Sequence, residues 1–368
     1  MEPIRIQDIL NYRFLSNVRY SPNGKRAAFV VSNCNEAENC YESRLWLYDG
    51  ELRQLTDLGK ESAFVWETDD TILFPAVRSS DEKKRAEAKE PFTSYYRLDL
   101  RGGEALHAFT LPFAVQSLHP LPNGMFIAIG SIDAREPDYY LKSREERKAI
   151  EKAYADNADY EVFDELPYWM NGGGIVNKTR SALFAISLDP LTVQRITEPF
   201  FNVDTLETVG NTVYFIGDTY TARRNLTTPK LYVYHADTNQ YRCIKTYDGL
   251  YTGALKAVGE NLILTATDGK LHGLNQNENF YLVDRESGEL TLLLRNTESL
   301  WESVGSDVRH GGGKSMQQAN GMLYFPTTRF DSTVLHALDM EGNELPIATE
   351  NGTRQTVGRS LVEQTHRL

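Results

Sequence analysis

The segment LYVYHADTNQYRCIK, Leu231 to Lys245, decides the fold. Aliphatic and aromatic residues run from Leu231 to Tyr234. A polar turn rich in Asp and Asn interrupts them, and a second strand-like run follows. Two strand-length runs joined by such a turn are the signature of a β-hairpin. The same form recurs as LWLYDGELRQLT from Leu45, YYRLDLRGGEALHAFT from Tyr95 and LFAISLDPLTVQRIT from Leu183. It returns as FYLVDRESGELTLLL from Phe280 and LHALDMEGNELPIAT from Leu335. Successive starts lie 50, 88, 48, 49 and 55 residues apart. A period near fifty is that of a blade-like repeat.

A second hairpin precedes most of these, as in LSNVRYSPNGKRAAFVVS, VQSLHPLPNGMFIAIGS and TGALKAVGENLILTAT. Each repeat is therefore four antiparallel strands, a to d. One such sheet cannot bury both faces, but sheets stacked radially can. A sandwich would not repeat at this period, and a solenoid repeat would be shorter. The expected fold is all-β: a β-propeller of six complete four-stranded blades and a partial seventh. The expected blades are 14–57, 62–111, 114–198, 201–247, 251–295 and 303–349, with the partial seventh at 350–368.

The one break in the period is an excess of about forty residues between strands b and c of the third repeat. It spans 132–180. Ser143 and Glu146 form a Ser-x-x-Glu capping box, followed by the helix formers REERKAIEKAYAD. Ile150 and Tyr154 are four apart and share a face of the predicted helix. Then comes DYEVFDELPYWMNGGG, in which acids and aromatics interleave. Long loops on a rigid scaffold tend to carry binding. Asp164 and Glu165 are the candidates for holding an ammonium group, with Tyr168 and Trp169 as packing walls. The plainer alternative is that these residues anchor the insertion to the rim.

In a four-stranded meander, the a–b and c–d turns share one face and the other connections share the opposite face. The first set reads short throughout. The second reads long, including NCNEAENCYES in the first repeat, RSSDEKKRAEAKEPFT in the second and LWESVGSDVRHGGGK before the sixth. All elaboration is expected on one side.

Composition narrows the partners. The formal net charge of −12 over 368 residues disfavours nucleic acid and anionic membrane surfaces. No apolar run reaches the ~18 residues of a membrane span, and the first residues lack a secretory signal. Three cysteines, Cys34, Cys40 and Cys243, are sparse and odd in number, which fits free thiols in a cytoplasmic protein. No metal-ligand spacing occurs, so no metal and no cofactor is expected.

The stretch DVRHGGGKS, residues 307–315, resembles chemistry only in spelling. A phosphate loop needs a glycine where Val308 stands. The His-Gly-Gly-Gly of an oxyanion segment needs a Gly-x-Ser-x-Gly serine, which this sequence does not contain. The stretch reads as an inter-blade connection. Ser360 and His366 read as ordinary strand or tail residues, since nothing nearby would activate a serine. No catalytic residue is assigned.

With these features in view, the chain resembles the N-terminal propeller of the prolyl oligopeptidase family of serine peptidases, closest to its acylaminoacyl-peptidase-like and dipeptidyl-peptidase-like branch. VRYSPNGKRAAFVVS, DELPYWMNGGGIVNKTRSALFAISL and GSDVRHGGGKS carry the resemblance. The first is common to many propellers; the others are more specific. The resemblance implies an α/β-hydrolase domain as partner, bearing the catalytic serine, aspartate and histidine, with short peptides as substrates. The propeller would gate and select those peptides and be inactive alone. The end of the sequence falls where a seventh blade would begin, so the chain is expected to be part of a larger protein. Open edges there would favour association, so a homo-oligomer is an expected state. Two alternatives stand beside this reading: a stand-alone propeller for protein binding, and a propeller with its own active site.

Overall fold

A computed structural model describes residues 3, 5–171, 173–300, 316–330 and 332–347. Within them lie six four-stranded antiparallel sheets, each with its strands hydrogen-bonded in chain order. The molecule is a six-bladed β-propeller. Blade four shows the pattern: Phe201–Val209, Thr212–Thr219, Lys230–His235 and Gln240–Thr246. The opening hairpin segment supplies its strands c and d, paired Tyr232 to Cys243 and Tyr234 to Tyr241.

Strand b of each blade is apolar on both faces because both are buried, whereas the outer strands d are largely exposed. In strand b of blade four, Val213 and Phe215 pack toward Ile127 and Leu183 of blade three, together with Phe201 of their own blade. The alternate residues Tyr214 and Ile216 pack toward blade five with Leu255, Leu262 and Leu264. Strand b of blade two divides in the same way, Phe74 toward blade one and Leu73 toward blade three. A period of two on a sheet buried twice yields a continuous apolar run. Burying each such side chain contributes roughly 1.5–3 kcal/mol, so the joins between successive blades hold them together.

Where the packing is tightest, no side chain fits. A Cβ on Gly130, in strand b of blade three, would collide with the rings of Phe113 and Phe184. Those rings are stacked with centroids 4.1 Å apart.

The turn face is short and cross-tied. Asn23 N–H in the first turn of blade one donates to Asp69 of blade two at 2.8 Å. Asn123 of blade three donates to Asp237 of blade four at 3.0 Å. On the opposite face the connections are long in blades two to five. Blade one departs from expectation. Its strands b and c, Ala27–Asn35 and Cys40–Tyr48, extend past the sheet and leave only residues 36–39 as the turn. Asn39 closes that turn with φ 46°, a left-handed conformation that Asn tolerates. Cys34 and Cys40 lie on this extension, and all three cysteines are free thiols.

The helical insertion of blade three is present. Helix α1, Ser80–Glu87, rises from blade two, and helix α2, Arg144–Asp156, lies in the insertion. Ser143 Oγ accepts from the Glu146 N–H, and the Glu146 carboxylate accepts from the Ser143 N–H, which completes the capping box. Residues 307–315 and 350–368, with Ser360 and His366, lie outside the described residues. Among the described residues no helix is long and apolar enough to cross a membrane.

Candidate functional site

The face of long connections is built around the root of the blade-three insertion. Arg180 is the second residue of strand c of that blade, Thr179–Leu188, and is fully buried. Its guanidinium donates to Glu165 Oε1 at 3.1 Å and to Oε2 at 2.6 Å. It also donates to the carbonyls of Phe200 and Tyr220 and lies 3.7 Å from the Tyr220 ring centroid. Glu165 Oε1 accepts a further 2.5 Å bond from the Lys178 N–H. Both charged side chains of this pair have no solvent exposure. Burial alone would push the Glu165 carboxyl up; the Arg180 and Lys178 donors outweigh it and hold it below the usual range.

Of the four residues singled out in the sequence, Glu165 is therefore placed as an anchor. Its oxygens are taken by Arg180 and Lys178, and no surface remains for a ligand. The other three lie at the surface. Asp164 is 60% exposed and pairs with Lys178 Nζ at 2.6 Å. Tyr168 and Trp169 are exposed, and Tyr168 packs on Phe163 with centroids 4.7 Å apart. Trp169–Met170 pairs with Gly174–Ile175 as a small ribbon. The insertion is also tied to blade four, since Leu166 N–H donates to the Ala222 carbonyl and Arg224 N–H donates to the Leu166 carbonyl. Tyr160, Val162, Phe163, Leu166, Met170 and Ile175 are exposed as well. An apolar sequence segment on a fixed root presents a sticky surface.

Further polar groups occupy the same face. Arg224 holds Asp218 at 2.8 Å and Asp204 at 2.5 Å. Burial raises the Asp218 carboxyl, and Arg224 offsets that only in part. In blade five Glu278 accepts from Thr265 Oγ1 at 2.5 Å, and burial raises its carboxyl. A Cβ on Gly253 would collide with this carboxylate, so the bare backbone there makes room for it. Sequence reasoning missed Glu278 because nothing local marks it; Gly253 inside a strand run was the available signal.

Blade six contains a grouping with the spelling of a nucleophile triad. Thr327 Oγ1 lies 2.8 Å from His336 Nε2, and His336 Nδ1 lies 2.5 Å from Glu344 Oε1, although poorly angled for a hydrogen bond. The hydroxyl proton is already committed to Glu298 Oε2 at 2.5 Å, so the imidazole must act as donor to Thr327. Thr327 and His336 are buried. A hydroxyl that already donates elsewhere, facing a donor and shielded from solvent, is not a nucleophile. Among the described residues no group of three or more His, Cys, Asp and Glu side chains is placed to hold a metal.

No protein-family model and no curated protein sequence matches this one. Solved structures do match in fold. The acylaminoacyl peptidase of Pyrococcus horikoshii superposes with a TM-score of 0.64 at 15% identity over 93% of this chain. Puromycin hydrolase gives 0.62 at 14% identity over 97% of this chain. The β-propeller domain of the trilobed protease from Pyrococcus furiosus gives 0.55 at 12% identity over 94%. This chain covers 88% of that domain, but only 47% of the acylaminoacyl peptidase and 50% of puromycin hydrolase. The chain thus has the fold of the propeller carried by acylaminoacyl and prolyl peptidases, and it spans about half the length of the whole enzymes it matches.

Proposed function

We propose that this chain is the substrate-selecting propeller of a serine peptidase acting on short peptides, and that it works beside an α/β-hydrolase domain. The observation that carries this reading is the asymmetry of the disc. One face has short, cross-tied turns; the other bears an insertion whose exposed residues from Tyr160 to Ile175 are mostly apolar. Such a surface suits burial against a second domain, with peptides passing between the two. Asp164, Tyr168 and Trp169 are the proposed peptide contacts, and the Glu165–Arg180 pair positions them. Hydrolysis would then proceed by an acyl-enzyme route supplied by the hydrolase domain, since this sequence has no Gly-x-Ser-x-Gly.

The same apolar surface suits a stand-alone propeller that binds another protein. The gene separates the two readings. A reading frame that continues past Leu368 into, or stands beside, a domain with Gly-x-Ser-x-Gly supports the peptidase; a stop codon with no hydrolase gene nearby supports the binding module. Residues 1–368 alone are expected to show no turnover of acyl-peptide or aminoacyl chromogenic substrates. Turnover that survives repurification and is abolished by a serine-directed inhibitor would overturn that expectation.

A further inference from the structure

Between helix α1 of blade two and helix α2 of the insertion lies a cavity of about 390 Å³. Six cations line it: Lys84, Arg85, Lys142, Arg144, Arg147 and Lys148. Only three carboxylates face them, and two of these are already engaged. Glu90 accepts from Arg85 Nε at 3.0 Å and Nη2 at 2.9 Å, and lies 3.7 Å from Arg147. Glu151 accepts from the Tyr139 hydroxyl. The third, Asp81, sits in the first turn of α1.

The remaining cations divide unevenly. Arg147 donates to the carbonyls of Tyr139 and Tyr140, and Lys142 lies 3.9 Å from Glu136. The side chains of Lys84, Arg144 and Lys148 have no hydrogen-bond or ion-pair partner among the described residues. Like charges gathered around one cavity repel, and the chain as a whole carries −12. Six cations against three carboxylates leave a net excess of positive charge in one concavity of so acidic a molecule, and hence a local positive potential. Arg144 adds a planar fork suited to phosphate or carboxylate, and the two lysines add mobile point charges. Arg144 opens α2, at the positive end of that helix's dipole, while Lys84 lies in the last turn of α1.

We infer that this cavity binds a small, multiply charged anion bearing a phosphate group or several carboxylates. The cavity volume lies within the range of small-molecule sites. A bound anion would contact α1 and α2 together and so tie the insertion to blade two. This inference does not depend on the peptidase reading, because neither helix holds the proposed peptide contacts.

The test is isothermal titration of the intact chain with inorganic pyrophosphate and, separately, with citrate, against sodium chloride at matched ionic strength. One-to-one saturable binding of at least one of them is expected. A tighter pyrophosphate arm assigns a phosphate ligand, and a tighter citrate arm assigns a polycarboxylate. Lys84→Glu and Lys148→Glu are each expected to weaken binding about tenfold, the scale of one charge-assisted contact. Both side chains are exposed and unpartnered, so the fold is expected to survive, as circular dichroism would show. Arg144→Gln provides a second check without charge reversal. No saturable binding of either anion, or binding that all three substitutions leave unchanged, would overturn the proposal.

Discussion

Asp164 and Glu165 are neighbours in the chain, carry the same charge and stand at the same insertion root, yet they have different physical roles. Glu165 is closed off with Arg180 and cannot meet a ligand. Asp164 is mostly exposed and shares only Lys178. A carboxylate in sequence is a charge without an address. Burial and the donors around it decide whether it fastens the molecule or remains available to another.

The sharpest way to break this contrast is Glu165→Gln. The change leaves a buried guanidinium without its counter-charge, a loss on the order of 3–5 kcal/mol in unfolding stability. Denaturant unfolding followed by near-ultraviolet circular dichroism measures it, and a loss under about 1 kcal/mol would mean that the pair contributes little. Acid sharpens the same contrast. The folded carboxyl of Glu165 is held below its unfolded value, so its stabilisation is full above the unfolded pKa of about 4.3 and is lost as pH falls through the folded value. The stability gap between the parent chain and Glu165→Gln should therefore narrow as pH drops below about 4. A gap that stays constant to pH 2 would assign it to lost packing instead.

Smaller effects are expected at the surface, read with the proposed hydrolase domain present. Trp169→Ala removes an exposed aromatic wall and is expected to raise KM for short peptides about tenfold while leaving the unfolding midpoint in place. Asp164→Asn is expected to raise KM only about threefold, and only for peptides with a free amino end, with the difference shrinking at high salt. Equal KM values for blocked and free peptides in both proteins would remove Asp164 from recognition.

The fold was legible because its signal is repeated. Each hairpin such as Leu231–Lys245 is weak evidence alone, but six at a shared spacing leave few architectures. The capping box at Ser143 and Glu146 was legible because helix starts are local chemistry. Ile150 and Tyr154 were read onto one helix face, and both line a single cavity against the blade-three core. The site was legible only in part. The Glu165–Arg180 pair joins residues fifteen apart by a bond that exists only once the insertion has folded back on strand c of its own blade. Local sequence carries no record of that return. The first repeat misled for a different reason: NCNEAENCYES is polar enough for a loop, yet most of it pairs as strand extending beyond the sheet. The basic cavity was missed because its cations come from two separate helices and the loop before the second, and are diluted by an acidic composition.

The hydrogen-bonded order of strands within every sheet follows the order of the chain. Each four-stranded sheet is therefore completed before the next four-stranded sheet begins, with no strand borrowed from elsewhere among the described residues. Under tension applied between two labelled sites, such a molecule would yield sheet by sheet, like beads drawn from a string. Each ordinary unit would release about fifty residues, or roughly 170 Å of contour length. Blade three would give a longer step, because its insertion would come away with it. A force–extension trace would thus read the repeat, and its one interruption, directly as step lengths.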